Sequence, residues 1–139
     1  MSTVVLDTNV AAAWYLPEDF SAAARVWQTR MLQGQARLLV PSFHYWEFAN
    51  VLRTYVRRAE LDVSLATEIY DLHLGAPLEV AEPEKSRVLK TALEYEATAY
   101  DAVFIALARL LGVPLVTAER MTTPWVVKMG DQIESVRGS

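Results

Sequence analysis

Short apolar runs alternate along this chain with longer segments whose apolar residues recur at helical spacing. Val4-Val5-Leu6 is continuously apolar and ends at Asp7, the pattern of a strand buried on both faces. Asn9 is a candidate cap for a short helix over Val10 to Tyr15, stopped at Pro17. Ser21 is a candidate cap for a helix through about Gln33, with Gly34 ending it. Arg37 to Val40 reads as a second strand. Pro41-Ser42 then starts a long helix, Phe43 to about Ala59, whose apolar positions Phe43, Trp46, Val51 and Tyr55 recur at helical spacing.

Asp62 caps a predicted helix through Leu74, followed by Gly75. Leu78 to Val80 is a short strand candidate. Glu82-Pro83-Glu84 places acids and proline at the start of a helix running to about Ala97. A helix opened by Asp101 ends at Leu110-Leu111-Gly112, and Pro114 to Thr117 is a strand. A short helix near Pro124 to Met129 and a strand near Ile133 to Val136 complete the pattern. Strands alternating with helices predict an α/β fold with a parallel sheet. The handedness of βαβ crossovers limits its topologies to a few. The 139 residues fit one domain, 1–139.

Composition narrows the chemistry. The chain is 53% hydrophobic and 22% charged, which suits a packed core rather than disorder. It has no cysteine and only two histidines, His44 and His73, so thiolate chemistry and histidine-rich metal sites are excluded. Any metal would take oxygen ligands, which favours Mg²⁺ or Mn²⁺. There is no signal-peptide pattern and no membrane-spanning run, so a soluble cytoplasmic protein without a membrane partner is expected. The net charge of −4 argues against a broadly basic nucleic-acid binder.

Against this background three acids stand out. Asp7, Glu47 and Asp101 each interrupt a stretch that should be buried, and Glu119 lies just past the Leu115-Val116-Thr117 strand. Sites in open α/β sheets form outside the carboxyl ends of strands, at the switch point in strand order. Two carboxylates about 4 Å apart repel by roughly 4 kcal/mol at an effective dielectric near 20. A divalent cation reverses that sign, activates water and stabilises a phosphoryl transition state. Taken singly, Asp7 and Asp101 also read as helix caps. No glycine-rich phosphate loop is present, which argues against an NTPase.

Four segments resemble the PIN-domain ribonucleases, most closely the VapC-type toxins of toxin–antitoxin pairs. They are Val5-Leu6-Asp7-Thr8-Asn9, Pro41-Ser42 leading to Glu47-Phe48-Ala49-Asn50-Val51-Leu52, Tyr100-Asp101-Ala102 with Ala106-Leu107-Ala108, and Leu115 to Arg120. The resemblance implies a three-layer sandwich with a central parallel five-stranded sheet. It implies that Asp7, Glu47 and Asp101 hold Mg²⁺ or Mn²⁺ for RNA hydrolysis, with Glu119 as a fourth acid. Thr8 and Thr117 would be hydroxyls beside the site, and Asn50 would face the same cleft; the plain alternative for Asn50 is a surface amide. Glu119 departs from the family, which more often carries Asp there. The segment Met121 to Trp125 departs as well, because Pro124 delays the helix that follows.

Arg53 and Arg57 share a helix face and are candidates for RNA phosphates; a solvated surface explains them too. Trp14, Tyr15, Phe43 and Trp46 fit either core packing or a groove for an antitoxin helix, and the resemblance implies a VapB-like antitoxin and a homodimer. The main expectation is a metal-dependent endoribonuclease, the toxin of such a pair. One rival is a catalytically impaired PIN-like module binding RNA or protein. Another is a phosphatase-like hydrolase with Asp7 as covalent nucleophile, weakened because Asn9 supplies no second acid.

Overall fold

A computed structural model describes residues 1–138. The strands are β1 (Ser2–Leu6), β2 (Ala36–Val40), β3 (Glu79–Val80), β4 (Leu115–Thr117) and β5 (Ile133–Ser135). The helices are α1 (Thr8–Ala12), α2 (Ser21–Leu32), α3 (Phe43–Arg57), α4 (Val63–Leu74), α5 (Lys85–Tyr95), α6 (Ala99–Leu111) and α7 (Pro124–Met129), and a 3₁₀ turn spans Gly130–Gln132. The five strands form one sheet in the order β3-β2-β1-β4-β5, and every pairing is parallel. The expected central parallel sheet is therefore present.

Both sheet faces are covered, which explains why the Val4-Val5-Leu6 end of β1 is continuously apolar rather than alternating. Val4 and Leu6 point into one core with Val10, Ala24 and Met31 of α1 and α2. Val5 points the other way, packing with Phe104, Ile105, Trp125 and Val126 of α6 and α7. A third cluster joins α1, α3 and α4 through Ala12, Phe48, Leu52 and Ile69. The edge strands β3 and β5 are short, which limits exposed backbone pairing groups. Arg37 on β2 closes the β3 edge with a bidentate pair to Glu79 at 2.7 and 2.9 Å.

Several expected caps move. Asp7, not Asn9, caps α1, its Oδ1 accepting the Thr8 N–H at 2.9 Å. Asn9 lies inside that helix, and its Oδ1 accepts the Ala118 N–H at 3.2 Å. Ser21 is the first residue of α2 rather than its cap; its hydroxyl accepts from Glu18 N–H and donates to Leu16 C=O, tying down the preceding turn. Asp101 does not open α6. Thr98 caps that helix by accepting the Asp101 N–H at 3.0 Å, leaving Asp101 in the first turn, where the helix dipole favours an anion. Asp62 caps α4 as expected.

The buried stripe of α3 departs from the expected one at Trp46, while Phe43, Val51 and Tyr55 are partly buried against the cores. His44, Phe48 and Leu52 face inward, whereas Trp46 is 65% exposed. Trp14 is buried and donates its indole N–H to Ala24 C=O at 2.9 Å, a core role rather than a docking one.

Candidate active site

The strand order reverses between β1 and β4: the chain runs from β1 outward through β2 to β3, then crosses back to place β4 on the other side of β1. Asp7 leaves the carboxyl end of β1 there, and its N–H donates to Val116 C=O of β4 at 2.9 Å. The Asp7 side chain is buried and held at both oxygens. Oδ1 accepts from Thr8 N–H, and Oδ2 accepts the Thr117 hydroxyl at 2.8 Å. Thr117 Oγ1 in turn accepts the Glu119 N–H at 3.0 Å, so one hydroxyl orders both Asp7 and the backbone leading to Glu119.

Burial pushes the Asp7 carboxyl up to about 7, the Thr117 bond opposes this, and the nearby Glu47 and Asp101 charges raise it further. Glu47, from the second turn of α3, is raised by burial, with the Thr8 side chain pulling down and Asp101 pushing up. Asp101 is raised by burial, offset by its Thr98 cap. Glu119 is raised by burial and by Asp101, and lowered by Arg137 and Arg120. All four acids therefore share one electrostatic neighbourhood, assembled from β1, α3, α6 and the end of β4. Glu119 is the one with basic residues acting on it, because Arg137 is anchored through its Nε donating to Ala118 C=O.

Glu47 Oε1 is buried and has no hydrogen-bond partner. An orphaned carboxylate oxygen carries its full desolvation penalty. A hard cation satisfies that oxygen and lowers the mutual repulsion of the acids, so the donor set fits Mg²⁺ or Mn²⁺ in chemistry. Among the described residues, however, no three acidic or imidazole groups are arranged to hold an ion as they stand.

The remaining candidates fall outside this group. Asn50, Arg53 and Arg57 are exposed along α3. Phe43 and Tyr100 stack with ring centroids 5.5 Å apart, each near one of the acids in sequence. Sequence reading missed the polar chain behind Thr8. Thr8 Oγ1 lies 2.8 Å from His44 Nδ1, His44 Nε2 lies 2.8 Å from His73 Nε2, and His73 Nδ1 lies 2.8 Å from the Tyr15 hydroxyl. The available signal was the His44-x₃-Phe48-x₃-Leu52 spacing, which places a histidine in the buried stripe of α3.

The comparisons agree with this architecture. The family described as PIN domain matches residues 4–121. Ribonuclease VapC3 of Pyrobaculum aerophilum is 27% identical over 121 residues, covering 84% of this chain and 89% of that protein. The crystal structure of PAE2754, also from Pyrobaculum aerophilum, superposes with a TM-score of 0.72 at 21% identity, covering 98% of this chain and 92% of that one. A chain of VapBC2 from Rickettsia felis, solved bound to a DNA fragment from its promoter, gives a TM-score of 0.67 at 13% identity, covering 96% and 98%. At these identities the two structures speak to the fold alone.

Proposed function

The chain belongs to the PIN-domain family, and on that premise we propose that it is a metal-dependent endoribonuclease, the toxin of a VapBC-type pair. The observation that carries this reading is the buried Asp7 at the switch point, electrostatically coupled to Glu47 and Asp101. Asp7, Glu47 and Asp101 hold Mg²⁺ or Mn²⁺, with Glu119 as the fourth acid. The cation supplies charge neutralisation and water activation at a phosphodiester. The chain's own residues supply the rest. Thr117 and the Thr8 backbone aim Asp7, Thr98 fixes the start of α6 beneath Asp101, and Arg53 and Arg57 meet RNA phosphates on the exposed side of α3. Asn50, also exposed on that helix, contacts the substrate beside them.

RNA is the proposed substrate because ribonuclease VapC3 is a relative, and the proposed chemistry, hydrolysis of a phosphodiester, needs no side-chain nucleophile. No second acid stands at position 9, so covalent phosphoryl transfer to Asp7 is not supported. The partner is a VapB-like antitoxin that places a basic side chain among the carboxylates, in keeping with VapBC2 as a structural neighbour. Exposed Leu89 and Leu93 on α5 support a homodimer through that face. No described helix is long and apolar enough to cross a membrane, and the cytoplasm, where RNA is met, is the proposed location.

The test is cleavage of total cellular RNA by the purified chain with Mg²⁺, Mn²⁺ or chelator, beside Asp7→Asn. Discrete, metal-dependent products lost in the variant are expected. Cleavage that persists in chelator or in Asp7→Asn overturns the reading. Among the described residues no three acids stand ready to hold an ion, which favours one second reading, an impaired PIN-like binding module. That module would bind neither cation measurably and would cleave nothing.

A further inference from the structure

His44 and His73 are fully buried, and their rings meet Nε2 to Nε2 at 2.8 Å. Burial holds both well below the ordinary histidine range, at about 3 and about 4. Each ring is then neutral and carries one N–H. That makes the two tautomers inseparable. Exactly one Nε2 carries the shared proton, so the other ring must carry its proton on Nδ1.

Only two arrangements of the chain remain. In the outward one, Thr8 donates to His44 Nδ1, His44 to His73, and His73 to the Tyr15 oxygen. The Thr8 proton then points away from Glu47, and the Tyr15 proton needs another acceptor. In the inward one, Tyr15 donates to His73 Nδ1, His73 Nε2–H to His44 Nε2, and His44 Nδ1–H to Thr8 Oγ1. The Thr8 hydroxyl proton is then free for Glu47, the carboxyl that the Thr8 side chain pulls down. Burial raises the Tyr15 phenol to about 12, so it keeps the proton that starts the series. Aligned hydrogen bonds polarise one another, and a negative carboxylate at the inner end favours the inward direction.

We propose that Tyr15, His73 and His44 are positioning residues for Glu47: they form an inward hydrogen-bond relay that fixes the Thr8 hydroxyl as a donor to the Glu47 carboxylate. The relay spans α1, α3 and α4, and it gives the buried histidines of α3 and α4 a purpose beyond filling space. His73 also packs edge-on against Phe48, Tyr15 and Trp14, which fixes its ring plane and hence the direction of both bonds. The consequence for metal binding rests on the reading of Glu47 as a ligand; the polarity of the relay does not.

The experiment is long-range ¹H–¹⁵N NMR of the full chain labelled at histidine, without divalent cations, paired with Mg²⁺ titration calorimetry of wild type and Tyr15→Phe. The expected spectrum shows the Nδ1–H tautomer at His44 and the Nε2–H tautomer at His73. The reverse pair, or a doubly protonated ring, overturns the relay. Tyr15→Phe keeps the ring and removes the first donor; about a 3- to 10-fold loss of Mg²⁺ affinity is expected, below the effect of a group touching a ligand directly. A purely structural tyrosine would leave that affinity unchanged, and that result overturns the positioning role. Wild type that binds no Mg²⁺ or Mn²⁺ would sink the nuclease reading and the role of the relay in metal binding, while the tautomers still decide its direction.

Discussion

The Thr117 hydroxyl donates to Asp7 Oδ2 at 2.8 Å, joining two side chains 110 residues apart in sequence. The bond exists because β1 and β4 are parallel neighbours whose carboxyl ends coincide. It is one of two contacts stabilising the charged form of Asp7 against its burial. Thr117→Val keeps the shape and removes the donor. In chelator at pH 8, where Asp7 is ionised, it is expected to destabilise the fold by about 1–3 kcal/mol. The loss is smaller at pH 5, where the protonated carboxyl no longer depends on that donor. Urea unfolding at the two pH values checks this.

The raised Asp7 carboxyl has a thermodynamic signature. Its folded value, about 7, exceeds its ordinary 3.8, so the folded state binds the proton more tightly than the unfolded chain. Metal-free stability is therefore present in full at low pH and falls as pH rises from about 4 to about 7. The Asp7 contribution is on the order of 4 kcal/mol at most, at about 1.4 kcal/mol per unit. Asp7→Asn is expected to flatten that slope. An unchanged slope in urea titrations would remove Asp7 as its source.

Glu47 and Glu119 differ in their surroundings, and their substitutions should differ too. Glu47 has a buried Oε1 without a hydrogen-bond partner, and no basic residue among those described shifts it, whereas Arg120 and Arg137 act on Glu119. Glu47→Gln is expected to lower RNA cleavage more than about 100-fold and Glu119→Gln about 10-fold, in line with direct and outer partners of a metal site. Single-turnover assays at saturating Mg²⁺ compare them, and equal losses would place both acids in the same role.

Two positions on α3 test which of its faces is buried. Phe48 is fully buried among Tyr15, Tyr70 and the two histidines, so Phe48→Ala is expected to cost about 3–5 kcal/mol. Trp46→Ala, on the exposed face, is expected to stay within about 0.5 kcal/mol. Thermal unfolding with chelator separates them.

Glu96 ends α5 in the left-handed conformation, φ 54°, where a side chain is strained. Glu96→Gly is expected to stabilise the protein by about 0.5–1 kcal/mol, since relief of strain outweighs the added freedom of the unfolded chain. Gly112, at φ 64° after α6, already uses the residue that conformation favours. A lower melting temperature for Glu96→Gly would contradict this account.

What was legible in the sequence was whatever local pattern dictates. The apolar run of β1 specified a strand covered on both faces, the Asp62 cap and Gly112 stop marked helix ends, and acids interrupting apolar stretches marked Asp7, Glu47 and Asp101. Order and type of elements follow from such short-range preferences. Asp7 and Asn9 both read as caps of α1, and Asp101 rather than Thr98 as the cap of α6, because several residues near each helix start can cap it, and only the path of the entering chain selects one. The stripe of α3 was misjudged because hydrophobicity favours Trp46 over His44, whereas packing favours whichever ring finds partners inside. His44 finds Thr8, 36 residues away, and His73, 29 away. Sequence alone thus determined which residues could carry chemistry. Tertiary structure decided which carboxylate is buried, which oxygen is orphaned and which hydroxyl holds Asp7, because desolvation and hydrogen-bond partners exist only once distant segments share one interior.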